Sequence, residues 1–366
     1  MTTGHITTWQ NGRKEERIAT KRLWLVPRDG GGIVRRDAAR VTAVHKERYE
    51  LVCDQGEGYG RLKAGVYFNG GGEAFPTTGD FVEIQYNPQG DSLILRTLPR
   101  STFFSRRDPT PGRGEQAVAA NFDTVFILQS LNHDFNERRL ERYVTLAWQS
   151  GAVPAVVLTK TDLTQDSAEA RRRAERLAAG VGVFTVSAKT GEGLAALDGY
   201  LRPGKTVVFL GSSGVGKSSL LNALAGEELM ETGGIREDDS RGRHTTTHRQ
   251  LFRLDSGAMV IDTPGMRELG MWDVSEGLSE AFTDVQALLG RCRFSDCRHQ
   301  QEPGCAVREA LETGVLSPER WESYQKLKQE ARYADDKAGY LRQKQQWHKG
   351  ISKTIRQMEK EGRVKG

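Results

Sequence analysis

The segment Gly211-Ser-Ser-Gly-Val-Gly-Lys-Ser218 constrains this chain more than any other, because it dictates both a local fold and a ligand class. The apolar run Val207-Val-Phe-Leu210 precedes it, and Leu220-Leu-Asn-Ala-Leu-Ala225 follows with helical composition. Strand, glycine-rich loop and helix in that order make a phosphate cradle. Glycines let backbone N–H groups curl around a β-phosphate, and the helix N-terminus adds a favourable dipole. On this reading Gly211, Ser212, Ser213, Gly214, Val215, Gly216 and Ser219 line the phosphates. Lys217 reaches the β- and γ-phosphates as a point charge, and Ser218 offers its hydroxyl to Mg²⁺.

A cradle does not by itself separate a GTPase from a P-loop kinase or ATPase. The separation comes from Thr159-Lys-Thr-Asp162, at the end of the apolar run Ala155-Val-Val-Leu158. A carboxylate at Asp162 accepts from guanine N1–H and N2–H₂. Adenine lacks both donors, and a site holding such a carboxylate buried and unpaired rejects it by about 10⁴–10⁵-fold. Lys160 would lie along the base plane, and Ser187-Ala188-Lys189, after Val183-Phe-Thr-Val186, would give backbone contact to the guanine O6. In ordinary small GTPases the cradle comes first and the base reader last. Here the base reader precedes the cradle, which implies a circularly permuted GTPase domain.

Two further segments fit the phosphate end. Asp262-Thr-Pro-Gly265 follows the apolar run Ala258-Met-Val-Ile261, which suits Asp262 as a second Mg²⁺ anchor and Gly265 as an N–H contact to the γ-phosphate. Between this and the cradle, the polar run Gly242-Arg-His-Thr-Thr-Thr-His248 suits a switch loop. Thr246 is the expected Mg²⁺ ligand, with Thr245 and Thr247 as close alternatives. The position after Gly265, a water-orienting Gln in Ras-like enzymes, is Met266, which cannot hydrogen-bond water. Hydrolysis alone should then be slow. His244 is the candidate catalytic substitute beside Lys217 and Thr246, able to orient or deprotonate water; a solvent-exposed loop histidine is the alternative reading.

Three of the four cysteines fall in one short stretch, Cys292-x4-Cys297-x-His299-x5-Cys305. Three thiolates and an imidazole form a tetrahedral Zn²⁺ set, and four protein ligands leave no open position, so the metal should be structural. Cys53 stands apart and reads as a small buried residue in a strand. Disulfides are not expected, because the N-terminus lacks a basic-then-apolar secretion signal. No apolar run approaches the roughly 18 residues of a membrane span, and 28% of residues are charged. A soluble, cytoplasmic monomer is the expectation.

Length allows two or three domains. Residues 1–37 read as an extension. Residues 38–99 carry short β-rich runs such as Arg40–His45, Tyr49–Cys53 and Asp80–Tyr86, about five strands, which suggest an OB-like barrel that binds RNA. A basic linker over Pro99–Gln116 leads into the α/β GTPase domain, 100–280, with strands near 123–129, 153–158, 183–186 and 206–210. Its helices include one capped by Asn136 with Leu140, Tyr143, Val144 and Trp148 on one face, and another over Gly193–Leu201. Residues 281–340 read as a helical zinc-binding domain, with helices over Ala306–Gly314 and Pro318–Lys337. Residues 341–366 hold eight Lys/Arg against two Glu, a phosphate-binding arm or a merely solvated tail.

From about residue 38 to 340 the chain resembles the RsgA (YjeQ/YloQ) family, circularly permuted GTPases that depend on the small ribosomal subunit. The resemblance rests on Gln116-Ala-Val-Ala-Ala-Asn-Phe-Asp123, Ser130-Leu-Asn-His-Asp-Phe-Asn136, Arg139-Leu-Glu-Arg-Tyr143, the cradle, Arg243-His-Thr-Thr-Thr247 and Asp262-Thr-Pro-Gly265. It implies an N-terminal OB barrel, a permuted GTPase domain and a C-terminal zinc domain. It also implies a role in late maturation of the small subunit, contact with its rRNA, and GTP hydrolysis stimulated by that subunit. The other functional reading is a nucleotide-gated RNA-binding scaffold with incidental hydrolysis. One departure concerns the guanine motif, whose usual Asn is Thr159 here; a hydroxyl can make only part of the link the amide makes to the cradle.

Overall fold

The structure, a computed structural model, describes residues 38–45, 48–67, 75–107, 115–132, 135–230, 249–262 and 274–335. The expected extension (1–37) and basic tail (341–366) lie outside these residues. The chain divides into two units: residues up to 143 with 150–269, and residues 144–149 with those from 270 onward.

In the first unit five short strands close on themselves. They are β1 (Ala38–Val44), β2 (Tyr49–Cys53), β3 (Gly56–Leu62), β4 (Phe81–Gln85) and β5 (Ser92–Thr97), with the one-turn helix α1 (Ala64–Tyr67) between β3 and β4. The pairing runs β1-β2-β3-β5-β4 and returns to β1; β3 and β5 are parallel and the other pairs antiparallel. Alternating inward residues, among them Ala39, Val41, Leu51, Cys53, Val82, Ile84 and Ile94, fill the barrel. Cys53 is buried there, its thiol donating to the Gly56 carbonyl at 3.3 Å.

The expected linker contains structure of its own. Strand β6 (Phe103–Arg107) pairs antiparallel with β7 (Glu115–Ala120), forming a small second sheet. Beyond it the α/β body alternates β8 (Thr124–Ser130), α2 (Glu137–Gln149), β9 (Val153–Thr159), α3 (Ser167–Leu177), β10 (Gly182–Thr185), β11 (Thr206–Leu210) and α4 (Lys217–Ala225). It closes with β12 (Gln250–Arg253) and β13 (Met259–Asp262). The order across the sheet is β10-β9-β8-β11-β13-β12, parallel except for β12. Strands covered on both faces read as continuous apolar runs, and β8 and β11 are buried at every position. Phe126, Leu128, Val157, Phe209, Leu220, Leu221 and Val260 share one core. Asn136 caps α2 as expected, its Oδ1 accepting the Arg139 N–H at 2.9 Å. The helix expected over Gly193–Leu201 is only a 3₁₀ turn, Leu194–Leu197, begun by Gly193 at φ +76°. So short an apolar stretch does not recover the cost of nucleating an α-helix.

The barrel and the α/β body share one sheet. Strand β1 pairs antiparallel with β12 at Ala43 and Gln250, so eleven strands are continuous. Arg40, 2% exposed, secures the junction. Its guanidinium donates to the carbonyls of Asn121 (2.9 Å) and Gly79 (3.3 Å), to Thr206 Oγ1 (3.0 Å) and to Met259 Sδ (3.0 Å), and it lies 5.0 Å over the Phe81 ring. Beside it, fully buried Asp80 accepts two nitrogens of Arg100 at 2.7 and 2.9 Å. Gly79 must be glycine: φ is +92°, and a Cβ there would collide with the Ala120 carbonyl.

The second unit is built from short helices: the end of α2, then α5 (Ser275–Ala281), α6 (Thr283–Leu289), α7 (Ala306–Glu312) and α8 (Pro318–Asp335). Phe282, Val285, Val307 and Ala310 are buried in it, with Tyr324 and Leu327. Arg320, 9% exposed, anchors α8 by donating to Asp284 (3.0 Å) and to the Ala281 carbonyl (2.7 Å), and it stacks 4.0 Å over Phe282. That ion pair and hydrogen bond hold the Asp284 carboxyl below its ordinary range although burial opposes ionisation. No helix among the described residues is long and apolar enough to cross a membrane.

Candidate nucleotide and metal sites

Every motif of the guanine and phosphate readings that falls within the described residues sits at the carboxyl end of a parallel strand. Successive strands are added to one side of β8 up to β10 and to its other side from β11 onward, all parallel as far as β13, and a crevice at such a switch point is where α/β sheets receive ligands. Strand β11 ends at Leu210, level with Ile127 of β8, and the loop Gly211–Gly216 leads directly into α4. Gly216, the residue before the helix, has φ +103°, a conformation that side chains with Cβ rarely adopt. A Cβ on Gly211 would stand 2.9 Å from the Leu128 carbonyl, so the loop can lie this close to β8 only as glycine. Lys217 Nζ is tethered to the loop itself, donating to the carbonyls of Ser212 (2.7 Å) and Gly211 (3.0 Å). Ser213 and Gly214 form the exposed tip, and Val215 is buried beneath it; Ser218 and Ser219 follow in the first turn of α4.

The Thr159–Asp162 segment bonds directly to that loop. Thr159 Oγ1 donates to the Val215 carbonyl at 2.6 Å, with a longer 3.4 Å approach to the Gln129 carbonyl. The link expected to be weakened by the missing Asn therefore exists, carried by a hydroxyl whose stiff β-branched side chain points it at one acceptor. Lys160 adopts φ +61° and places its Nζ 2.8 Å from the Gly214 carbonyl. Asp162 lies in the 3₁₀ turn that follows; it is neither buried nor unpaired as expected but exposed at the loop surface, with Oδ1 accepting the Ser187 hydroxyl at 2.7 Å. Ser187 is buried and continues into Ala188 and the exposed Lys189. One carboxylate oxygen of Asp162 is thereby oriented.

Asp262 ends β13 beside the cradle strand, since β11 and β13 pair in parallel through Val208 and Ile261, and it is 4% exposed. His244, Thr246, Gly265 and Met266 lie outside the described residues. Gln129, at the end of β8, was not anticipated from the sequence. Fully buried, it accepts the N–H of Asn136 (3.4 Å) and a nitrogen of Arg139 (3.3 Å), so it ties the start of α2 to the strand whose carbonyl meets Thr159. A polar residue closing an otherwise apolar strand was its only signal.

In the second unit Cys292, Cys297, His299 and Cys305 bring their ligand atoms within 4.8 Å of one another. His299 Nδ1 is 3.5 Å from both Cys292 Sγ and Cys305 Sγ. Zn–S near 2.3 Å and Zn–N near 2.0 Å at a tetrahedral angle put sulfur and nitrogen about 3.5 Å apart, so the donor set fits zinc. Burial opposes ionisation of Cys292, but the backbone N–H groups of Ala306 and Val307, at the start of α7, hold its thiol below the ordinary value. Burial and the adjacent thiols push Cys297 up to about 11. Burial lowers His299, opposed by the Glu302 carboxylate and helped by Lys328, which favours the neutral imidazole a metal needs. Near these ligands Glu302 is held at about 2 by N–H groups of its own loop.

The RsgA GTPase family profile matches residues 97–272. The small ribosomal subunit biogenesis GTPase RsgA 1 of Listeria monocytogenes is 47% identical over 319 residues, 87% of this chain and 90% of that protein. The small ribosomal subunit biogenesis GTPase RsgA of Opitutus terrae is 46% identical over 310 residues, 81% of this chain and 84% of that one. Among solved structures, YjeQ from Thermotoga maritima matches with a TM-score of 0.59 at 28% identity, covering 80% of this chain and 97% of that one. YloQ, a circularly permuted GTPase, matches at 0.56 and 23% identity, covering 85% and 99%, which speaks to the fold alone.

Proposed function

This chain belongs to the RsgA family of circularly permuted GTPases, and on that premise we propose that it hydrolyses GTP in response to the small ribosomal subunit, as a late maturation factor that contacts the subunit's rRNA. The observation that carries this reading is the Thr159–Val215 bond, which brings a guanine reader and a phosphate cradle together although the chain presents them in reversed order. Asp162 and Lys160 receive the guanine, with Ser187, Ala188 and Lys189 closing over O6. Gly211 to Ser219 receive the phosphates, and Lys217 leaves its loop carbonyls for the β- and γ-phosphate oxygens. Gly265 adds an N–H to the γ-phosphate. Ser218, Thr246 and Asp262 would hold Mg²⁺, which neutralises charge building on the phosphate oxygens.

Met266 offers no hydrogen bond to water, so turnover waits on an external trigger that orders the switch run and brings His244 to the attacking water. The four ligands at Cys292, Cys297, His299 and Cys305 hold a structural Zn²⁺ in the helical unit, and the OB-like barrel supplies an RNA-contacting surface. The test is GTP turnover titrated with purified small and large subunits. Small subunits should stimulate the parent protein strongly, large subunits should not, and His244→Ala should lose the stimulation while keeping GTP affinity. A rate indifferent to small subunits would instead favour a nucleotide-gated scaffold.

A further inference from the structure

The metal loop is held by a carboxylate that is not itself among the four ligands. Glu302, within Gln300-Gln-Glu-Pro-Gly304, accepts the Arg298 N–H at Oε1 (3.0 Å) and the N–H groups of Gln300 (2.9 Å) and Gln301 (3.0 Å) at Oε2. These three donors flank His299 on both sides. His299 has φ +60°, a left-handed conformation that an L residue with a Cβ adopts at a cost and keeps only when its surroundings impose it. Packing around the turn is sparse, because Arg293, Phe294, Ser295, Asp296, Arg298, Gln300 and Gln301 are all exposed, although the His299 ring meets Trp321 edge-on at 5.6 Å. The reversal at His299 is what turns its ring so that Nδ1 meets Cys292 and Cys305.

We propose that Glu302 is a positioning residue of the metal site: it presets the left-handed turn at His299, holding the imidazole where the metal will need it, and so raises zinc affinity without touching the ion. The inference rests on the cluster being a metal site but not on the GTPase reading. A carboxylate suits the task because its two oxygens accept from both sides of the turn at once, and charge-assisted bonds are the stronger kind. Groups that orient a ligand from behind typically contribute 10–100-fold in metal affinity.

The test uses the full chain and Zn²⁺ itself, in competition with a chromophoric chelator. Glu302→Ala should bind zinc about 10–100-fold more weakly, and Glu302→Gln should fall between, since an amide keeps one acceptor oxygen. With Co²⁺ in place of Zn²⁺, Glu302→Ala should alter the visible bands that report imidazole in the tetrahedral set. GDP affinity should stay unchanged. In a His299→Ala background, removing Glu302 should have no further effect on affinity, because there is no imidazole left to place. Equal zinc affinity of Glu302→Ala and the parent overturns the proposal, as does an undiminished loss in the His299→Ala background. If Glu302→Ala does not fold, Glu302→Gln and its cobalt spectrum decide the matter by the same criteria.

Discussion

The nucleotide site and the metal site solve the same problem, holding polar groups at fixed separations, by opposite means. At the nucleotide site the groups come from segments far apart in the chain, and buried strands β8, β9 and β11 place them. Thr159 reaches Val215 because β9 runs on to the level of Ser130, past the level of Ile127 at which β11 gives way to the loop, not because the residues are near in sequence. At the metal site all four ligands fall between Cys292 and Cys305, in a loop whose side chains mostly face water. A hydrophobic core holds the first site ready; the second depends on local backbone bonds and on the ion itself. Preorganisation by a sheet survives loss of any single ligand group, whereas preorganisation by four ligands does not.

The largest effect expected from this contrast is that of metal removal. Zinc contributes on the order of 10–16 kcal/mol in isolated peptides with such ligands. Chelation should abolish amide-exchange protection across 290–305 while leaving GDP affinity unchanged; a parallel fall in GDP affinity would break the contrast. Next in size is Asp162→Asn. On the proposed reading one charge-assisted hydrogen bond to guanine is replaced by a donor facing a donor and the other loses its charge, so GTP affinity should drop by about 10²–10⁴-fold in a fluorescent-nucleotide titration. Xanthine nucleotides should gain, because the new amide can donate to the xanthine O2.

Arg40→Met probes the sheet without touching either site. It leaves the Asn121 and Gly79 carbonyls and Thr206 Oγ1 short of a buried donor, and should lower the stability of the first unit by about 3 kcal/mol in urea unfolding. Zinc affinity should be untouched. The smallest effect is reserved for Thr159→Ala, which removes one hydroxyl bond to the cradle. A net loss of about 1 kcal/mol, roughly fivefold in nucleotide affinity, should appear in the same titration. No change at all would mean that packing alone holds the base loop against the cradle.

Much of the proposed site is legible because its chemistry is local. The cradle, the base reader and the Cys/His spacing each announce themselves within a dozen or so residues, and buried parallel strands show as unbroken apolar runs. Other features required distant partners to be seen. Strand β6 hides in a basic segment because it is defined by pairing with β7, and β12, polar at its start, by pairing with β13. In the chain the barrel leads toward β8 and the base reader; in space β1 pairs with β12, at the opposite edge of the sheet. Arg40 reads in the sequence as one more surface cation in a strand, and Glu302 as an ordinary loop carboxylate.

The sequence by itself determined the chemistry: which phosphate and base groups can be met, which residues can hold a metal, and which strands must be buried. Only the tertiary structure decided how those pieces are held. A hydroxyl at Thr159 suffices for the cradle link because β9 extends past the end of β11, where the Val215 carbonyl of the loop meets it. Arg40 is buried because four acceptors and an aromatic ring converge on it. The physical reason is the same in both cases: residue type sets what a group can bond, but the distance to its partner is set by long-range packing.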